Sequence, residues 1–469
     1  MASISKPHIV IFPFTAQGHT IPLLDLSKEL SRRGLKVTII TTPSNASSTI
    51  KPYLSQHPNI ILKQILFPEI KGLPKGCENM SQLLSHEHLL PFLNATKLLQ
   101  KPFETMFTEI SSNDPPACLI SDSFLGWTNA ICRTLGIPRI AFNGMSVFAM
   151  TIKKAVEDEE TRQFFGRNGD EVVNVKGVEI SFELTVADLP KSMKEENNPN
   201  GEFFLEAVRS DSGSWAIIAN SFMALEKDYV VSLESLYDNK TKTFCVGPLF
   251  LYDQLEGEKI GLGPKLSSPW AEWLNENRED KSVIYVSFGS VANLSDEQLE
   301  ELAYGLELSG ENYIWVVRYK TWSPPTALIG GGEKKGIVVN EWVDQKWVLA
   351  HWAVGEFLGH CGWNSVLESL ANGVPILAWP MMAEQHLNAK YLVEGLKVGI
   401  RLPSDGNNVV LREEIGKGVK ELMSGIRGRQ ARDKAIEFGK MAKEAVLVGG
   451  SSYKSLNELI ERFEEGVYS

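Results

Sequence analysis

The chain has little of several features that mark particular protein classes. Its 469 residues include only five cysteines, at positions 77, 118, 132, 245 and 361, and no two of them form a CxxC pair. This odd, scattered set indicates reduced thiols rather than a disulfide framework or a cysteine metal site. Hydrophobic residues make up 43% and charged residues 22%, as in an ordinary globular protein. At about 150 residues per domain, the length suggests two or three domains.

An excess of positive charge and a long apolar run are both missing. Lys and Arg number 47 against 58 Asp and Glu, which gives a net charge of −11 and argues against a nucleic-acid partner. A membrane span needs about 20 apolar residues, but the charge-free stretch 369–383 is interrupted by Asn372, Gly373 and Pro375. We therefore predict no integral membrane segment. The N-terminus leads straight into the apolar stretch 8–12, so we expect no signal peptide and a cytoplasmic protein.

The dinucleotide fingerprint G-x-G-x-x-G is absent, although the chain alternates β-branched and helical segments. This alternation predicts an α/β fold with parallel sheets and helices on both faces. We predict strands at 8–12, 36–41, 60–67, 117–121, 138–142, 215–219, 243–246, 282–288, 313–317, 336–340, 354–358, 375–379 and 398–402. A first helix is predicted over 20–33, with Pro22 in its first turn and Gly34 closing it. Another begins after Ser295, where Gln298 would complete a capping box.

A segment rich in glycine and proline divides this pattern. We predict an N-terminal Rossmann-like domain over 1–246, a linker over 247–269, and a C-terminal Rossmann-like domain over 270–450. The final segment, 451–469, carries a narrow apolar stripe at helical spacing, namely Leu456, Leu459, Ile460 and Phe463.

Strand order predicts one candidate catalytic pair. In an open parallel sheet of order 3-2-1-4-5, ligands bind where the first and fourth strands lie side by side. The loop after the first strand holds His19, and the fourth strand ends at Asp122. A histidine oriented by a buried carboxylate is suited to general-base catalysis. A histidine with only a structural hydrogen bond is the alternative.

The C-terminal half contains a candidate diphosphate site. The strand 354–358 is followed by a glycine-containing turn and a helix, so backbone N–H groups and the helix dipole point at one spot. His360, Asn364 and Ser365 add further donors there. A helix capped for its own stability would use the same residues. In the N-terminal half, Phe14, Phe124 and Met145 follow strand ends and are predicted to line an apolar pocket.

These residues resemble a known family. The segment from Trp342-Val-Asp-Gln345 through His360-Cys-Gly-Trp-Asn-Ser365 to Glu384-Gln385 closely resembles the signature box of plant UDP-sugar-dependent glycosyltransferases. Phe12-Pro-Phe-Thr-Ala-Gln-Gly-His19 and Ser287-Phe-Gly-Ser290 also match. The resemblance implies a GT-B fold, in which two Rossmann-like domains face each other across a cleft, and the final helix 451–469 crosses back to the N-terminal domain.

The resemblance also implies roles for individual residues. His19 would be the base and Asp122 its orienting acid, while Trp342 would stack on uracil, Gln345 contact the uridine and Glu368 bind the ribose hydroxyls. The diphosphate contacts would be Ser290, His360, Asn364 and Ser365. The sugar contacts would be Trp363, Glu384 and Gln385. The apolar pocket of Phe14, Phe124 and Met145 would bind the acceptor. The family is metal-independent, so no metal is expected. No cofactor is expected either, because UDP-glucose is the donor substrate.

The implied activity is inverting transfer of glucose to a hydroxyl of a small apolar acceptor, a flavonoid or other phenol, by a monomer. Another donor sugar, C-transfer and a nicotinamide oxidoreductase stay open as alternatives. Four positions depart from the family pattern: Val343 replaces Ala, Asp344 replaces Pro, Gly359 replaces Thr, and Glu384 replaces Asp.

Overall fold

The computed structural model describes residues 6–156, 166–195, 198–237, 239, 241–255, 268–276, 279–290, 294–317, 322–325, 335–403 and 409–466. These residues form two parallel β-sheets with helices packed on both faces, so the predicted α/β class is confirmed. Part of the predicted linker, 256–267, lies outside the described residues. The predicted domain boundaries stay a prediction.

The N-terminal sheet has the strand order β3-β2-β1-β4-β5-β6-β7. Its strands are β1 His8–Phe12, β2 Lys36–Thr41, β3 Ile61–Gln64, β4 Cys118–Asp122, β5 Arg139–Asn143, β6 Ala216–Ala219 and β7 Lys242–Cys245. The C-terminal sheet has the order β10-β9-β8-β11-β12-β13. Its strands are β8 Val283–Ser287, β9 Asn312–Val316, β10 Gly336–Val339, β11 Val354–Gly359, β12 Ile376–Ala378 and β13 Gly399–Arg401. Each corresponds to a predicted strand, and the largest difference is that β3 ends at Gln64 instead of Phe67.

The α-helices that the structure describes connect and cover these strands. Those before β8 are α1 Gln17–Arg32, α2 Pro43–Asn45, α3 Lys51–Tyr53, α4 Leu89–Lys97, α5 Gln100–Asn113, α6 Thr128–Leu135, α7 Val147–Ala155, α8 Lys191–Lys194, α9 Gly201–Asp211, α10 Met223–Ser235, α11 Leu251–Leu255 and α12 Pro269–Asn275. Those after β8 are α13 Asp296–Ser309, α14 Gln345–Ala350, α15 Trp363–Ala371, α16 Gln385–Lys390, α17 Arg412–Ser424, α18 Ile426–Val446 and α19 Ser451–Glu465.

Strand β1 shows why near-continuous apolar runs form these sheets. All five of its residues are buried. Ile9 and Ile11 pack into the core on one face, whereas Val10 and Phe12 pack into the core on the other. Side chains alternate between the faces of a strand, so a strand covered on both sides must be apolar at every position.

Helix α1 begins three residues earlier than predicted, at Gln17, so Pro22 is its sixth residue and not part of its first turn. A proline has no N–H to donate to the carbonyl four residues before it, which here belongs to Gly18. The Asn364 side chain of the C-terminal half donates to that carbonyl instead, at 2.6 Å. The proline is accommodated because another part of the chain uses the carbonyl it leaves free.

The capping box predicted at Ser295 is only half formed. The Ser295 hydroxyl accepts the backbone N–H of Gln298 at 3.2 Å, as predicted. The Gln298 side chain, however, turns away and exchanges two hydrogen bonds with the backbone of Val410. In a full capping box, the Gln298 side chain would accept the backbone N–H of Ser295. Here it instead satisfies the buried backbone N–H and carbonyl of Val410, just before α17.

The last helix, α19, packs against the N-terminal sheet. Its apolar stripe is buried, with Leu456 and Leu459 fully so. The Ser452 hydroxyl donates to the Gly247 carbonyl at 2.5 Å, and Lys242 of β7 forms an ion pair with Glu458 at 2.5 Å. Because the stripe contacts β7, this helix links the end of the chain to the first sheet.

Candidate active site

The loop after β1 and the end of β4 meet because these strands are neighbours in the sheet. His19, in the first turn of α1, places its Nδ1 atom 2.8 Å from Oδ2 of Asp122. The other Asp122 oxygen accepts the backbone N–H of Phe124 at 2.9 Å. The buried carboxylate is thus fixed from two sides, and Nε2 is the ring nitrogen of His19 that Asp122 does not hold. The structure brings the two residues together as the strand order predicted.

The surroundings of His19 favour its protonated form. Burial lowers the pKa of His19, but the charge of Asp122, their hydrogen bond and the charge of Glu384 together raise the pKa above its ordinary 6.5. The ammonium of Lys153 opposes this rise. A carboxylate that stabilises the imidazolium strengthens the histidine as a proton acceptor.

Aromatic side chains surround the imidazole. The ring of Phe124 lies 4.8 Å from that of His19, and the ring of Phe14 lies 5.4 Å from it, measured between centroids. Phe14 is buried and Phe124 is partly exposed. Phe204, on α9, continues this cluster at 5.4 Å from Phe124 and was not predicted from the sequence. Met145, the third predicted acceptor residue, is also buried and contacts Lys153.

A cleft of about 840 Å³ opens beside this pair, between the two sheets. Residues of the N-terminal half, including Gln17 and Gly18 next to His19, form part of its wall. Six of the predicted donor residues line it, namely Ser290, Trp342, Gln345, Asn364, Ser365 and Glu368. Trp342 is 54% exposed, so its indole face is open to a planar ligand.

Gln345 joins the polar side chains on the floor of the cleft. Its Nε2 donates to Ser365 Oγ at 2.8 Å and to Glu368 Oε2 at 2.7 Å. Ser365 and Glu368 are three residues apart on α15 and face the same side. Burial raises the pKa of Glu368 to about 7, although the charge of Lys346 and the Gln345 hydrogen bond act in the opposite direction. This carboxyl group is therefore partly protonated near neutral pH.

The turn between β11 and α15 has a constrained backbone. Cys361 adopts a φ of 65°, which is uncommon for a residue other than glycine, and Gly362 is the N-cap residue of α15. Helix α15 begins at this turn, and the unpaired N–H groups and positive dipole end of a helix start favour an anion. Burial lowers the pKa of His360 to about 4, although a hydrogen bond with the Ser287 backbone acts in the opposite direction, so its imidazole is neutral. His360 is not among the residues that line the cleft.

Trp363, at the start of α15, is buried. The sequence suggested that it shapes the ligand site, but only 2% of it is exposed and it is not among the residues that line the cleft. Its indole N–H donates to the carbonyl of Asn220, in the N-terminal half, at 2.9 Å. This bond uses the one polar hydrogen of the indole, and the sugar contact of Trp363 stays a prediction.

Glu384 and Gln385 lie on the His19 side of the site, outside the residues lining the cleft. The charge of Glu384 contributes to the pKa of His19, which places the two groups near each other. The side-chain oxygen of Gln385 accepts the backbone N–H groups of Met381 and Met382 at 2.9 and 3.0 Å. Within the described ranges, Gln385 Nε2 makes no hydrogen bond, so it is the group left to meet a ligand.

Two departures from the family pattern have local explanations. Asp344 is the N-cap of α14, and its carboxylate accepts the N–H of Trp347 at 3.3 Å. It therefore begins this helix by capping, where the family pattern has proline. At Gly359, a Cβ atom would lie 2.3 Å from the ring of Phe357, so the usual threonine would require this ring to move.

Neither a metal site nor a membrane-spanning helix is found in the described part of the chain. No three His, Cys, Asp or Glu side chains come together there in a group that could hold a metal ion. None of the described helices is both long and apolar enough to cross a bilayer.

Comparisons with known proteins agree with this geometry. Residues 6–251 match the family model described as glycosyltransferase, N-terminal domain, and residues 264–402 match UDP-glucoronosyl and UDP-glucosyl transferase. UDP-glycosyltransferase 90A1 of Arabidopsis thaliana is 38% identical over 475 residues, which cover 97% of this chain and 96% of that protein. The chain belongs to the UDP-glycosyltransferase family. It is therefore an enzyme that uses a UDP-sugar donor and a small-molecule acceptor, and the oxidoreductase alternative is wrong.

Other members of the family are similar over nearly their whole length. Scopoletin glucosyltransferase of Nicotiana tabacum is 36% identical and matches 97% of both chains. Phytolacca americana UGT2, whose structure is complexed with UDP-2fluoro-glucose and pterostilbene, has a TM-score of 0.83 and 29% identity over 97% of this chain and 99% of that one. The predicted GT-B fold of this UDP-glycosyltransferase is thereby confirmed.

Proposed function

We propose that this UDP-glycosyltransferase transfers glucose from UDP-glucose to a hydroxyl of a small, largely apolar phenol, with inversion to a β-glucoside. The observation that carries the proposal is the His19–Asp122 pair, held at 2.8 Å beside aromatic side chains and next to the donor cleft. A relative named as a glucosyltransferase of scopoletin, and a similar structure holding a fluoro-glucose donor with pterostilbene, support this donor and acceptor class.

In the proposed reaction, Nε2 of His19 removes the proton from the acceptor hydroxyl. The oxygen attacks the anomeric carbon as the bond from that carbon to the UDP oxygen breaks on the opposite face. Asp122 stabilises the imidazolium that forms. UDP leaves with the electron pair and gains negative charge, which the N-terminus of α15 and His360 would stabilise. The proton on His19 passes afterwards to solvent.

The donor assignment rests on the box residues. Glu368 would accept hydrogen bonds from the ribose hydroxyls, and Trp342 would stack on uracil. Gln345 would contact the uridine. The diphosphate would be held by Ser290, Asn364 and Ser365. Glu384 and Nε2 of Gln385 would contact the sugar. The terminal glutamine favours glucose over galactose by resemblance to the family. A monomer in the cytoplasm, free of metal and cofactor, is the expected working state.

Separate incubations with UDP-glucose, UDP-galactose and UDP-glucuronate and a set of phenols would test this function. Products are identified by mass spectrometry, and the coupling constant of the anomeric proton reports the configuration. We expect fastest transfer from UDP-glucose and a β-O-glucoside. Faster transfer from another donor, a C-linked product or an α-linkage would contradict the proposal.

A further inference from the structure

Lys153 is a buried cation that the proposed mechanism does not use. It lies on α7, and only 8% of the residue is exposed. Its Nζ atom lies 3.5 Å from Sδ of Met145 and 6.0 Å from the ring centroid of Phe204. In the described ranges, no carboxylate oxygen approaches Nζ within ion-pairing distance. The ammonium therefore faces a sulfur and an aromatic ring.

The surroundings of the Lys153 ammonium compensate poorly for its loss of hydration. Lysine is almost never fully buried without a partner, and a thioether is only a weak acceptor. Burial lowers the pKa of Lys153, and the more distant charges of Glu384 and Asp211 only partly oppose this effect. An anion brought against Nζ would replace the lost hydration, because a buried charge is stabilised by a close counter-charge.

Lys153 adjoins the aromatic cluster that surrounds His19. Phe204, next to the ammonium, lies 5.4 Å from Phe124, and Phe124 lies 4.8 Å from His19. The charge of Lys153 is close enough to lower the pKa of His19. A molecule held by these aromatic rings, with one end at His19, would therefore present its other polar groups to Lys153.

We propose that the acceptor carries a carboxylate which pairs with the Lys153 ammonium while a hydroxyl of the same molecule meets His19. The substrate class is thus a hydroxylated aromatic acid. The carboxylate is bound and not glucosylated, so the product keeps a free acid. This inference rests on the proposed function and makes Lys153 a specificity-determining residue.

Lys154 provides a matched control. It is the next residue of α7, and its Nζ lies 5.4 Å from the ring centroid of Tyr237. Tyr237 belongs to the core that α7 forms with α10, not to the aromatic cluster at His19. The same substitution at 153 and at 154 therefore separates loss of charge in the acceptor pocket from loss of charge on the helix.

The test compares hydroxybenzoate and hydroxycinnamate isomers with their methyl esters in the full-length wild type and in the variants K153M, K153R and K154M. We expect K153M to lower kcat/KM for the acids by about 10-fold or more, the range of a hydrogen bond to a charged group, and to leave the esters unchanged. K153R should retain most of the preference for acids, and K154M should match the wild type. Equal losses for acids and esters in K153M, or a wild type that favours the esters, would overturn the proposal.

Two further measurements keep the outcome clear. Thermal melting of K153M should show no loss of stability, because the substitution removes a poorly compensated buried charge. Equilibrium binding of an acid and its ester should show weaker binding of the acid alone in K153M, and equal weakening would reject the role of Lys153. If the wild type glucosylates no phenol, the proposed function fails, while this binding comparison still decides the assignment of Lys153.

Discussion

Lys346, next to Gln345 in the chain, donates to Oδ2 of Asp25 across the cleft at 3.1 Å. Asp25 lies on α1, the helix that carries His19. The hydroxyl of Tyr53 completes the group, 3.0 Å from Lys346 and 2.5 Å from Asp25. Despite burial, the pKa of Asp25 is lowered by Lys346 and Lys28. A buried ion pair thus connects the donor segment to the helix that holds the base.

Breaking this pair should misalign the base and the donor. We expect K346M to lower kcat by about 10-fold, since small displacements of reacting groups cost this much or more, with a smaller change in UDP affinity. The double variant K346M/D25N should lose little more than K346M, which steady-state kinetics would show as non-additivity. K242M is the matched control, because it removes an ion pair with Glu458 between α19 and β7, far from the cleft. Losses that simply add would contradict the coupling.

Removal of the base should affect chemistry more than binding. We expect H19A to lower kcat on an unactivated phenol by about 10²-fold or more, within the usual contribution of a general base. UDP affinity, measured by calorimetry, should stay near that of the wild type because the donor residues that line the cleft are intact. Near-normal turnover by H19A would reject His19 as the base.

The partner of His19 should set the pH dependence of the reaction. His19 must be neutral to accept a proton, and its pKa is raised above 6.5, so the kcat/KM of the wild type should rise with pH through a pKa above this value. In D122N, the Asp122 charge no longer opposes the effect of burial, so the pKa of His19 falls. The acid limb of the profile should therefore move to lower pH while kcat falls. A pH–rate profile checks both effects. An acid limb that D122N leaves in place would assign the titration to another group.

Donor affinity should depend on pH through Glu368. Its pKa of about 7 means that the carboxylate, which best accepts two ribose hydroxyls, is lost as the pH falls below neutrality. We expect the affinity for UDP-glucose, measured in the H19A background, to weaken as the pH falls from 8 to 6. The E368Q variant should bind UDP-glucose more weakly, with an affinity that does not change over this pH range. UDP-glucose is the suitable ligand because it lacks the terminal phosphate whose second pKa is about 6. A pH-dependent E368Q would exclude Glu368 as the titrating group.

Particular residues show how far the sequence predicts this molecule. The strands were predictable because two-sided burial makes each of them a nearly continuous apolar run, as in β1. The meeting of His19 and Asp122 followed from strand order alone. The start of α1 was missed because its N-cap, Ala16, makes no side-chain cap bond and carries no capping signal.

Other features depend on contacts that a sequence does not reveal. Nothing in the surroundings of Trp363 along the chain shows that the carbonyl of Asn220 accepts its indole N–H. Lys346 resembles a solvated charge next to a motif, and its partners lie more than 290 residues away. Lys153 and Lys154 resemble the basic last turn that suits any helix. Only the fold shows that one of the two faces the aromatic cluster at His19.

Pro22 removes one hydrogen bond from α1 and leaves the Gly18 carbonyl to Asn364. An alanine there would supply the missing N–H, and a helix interior prefers alanine to proline by about 3 kcal/mol. That N–H would compete with Asn364 for the Gly18 carbonyl, the hydrogen bond that joins the predicted diphosphate site to the residue before His19. Because a primary amide has two hydrogens, Asn364 can keep this bond and still donate to a phosphate. At this position, the intrinsic preference of the helix and the alignment of base with leaving group are in conflict, and the sequence favours alignment.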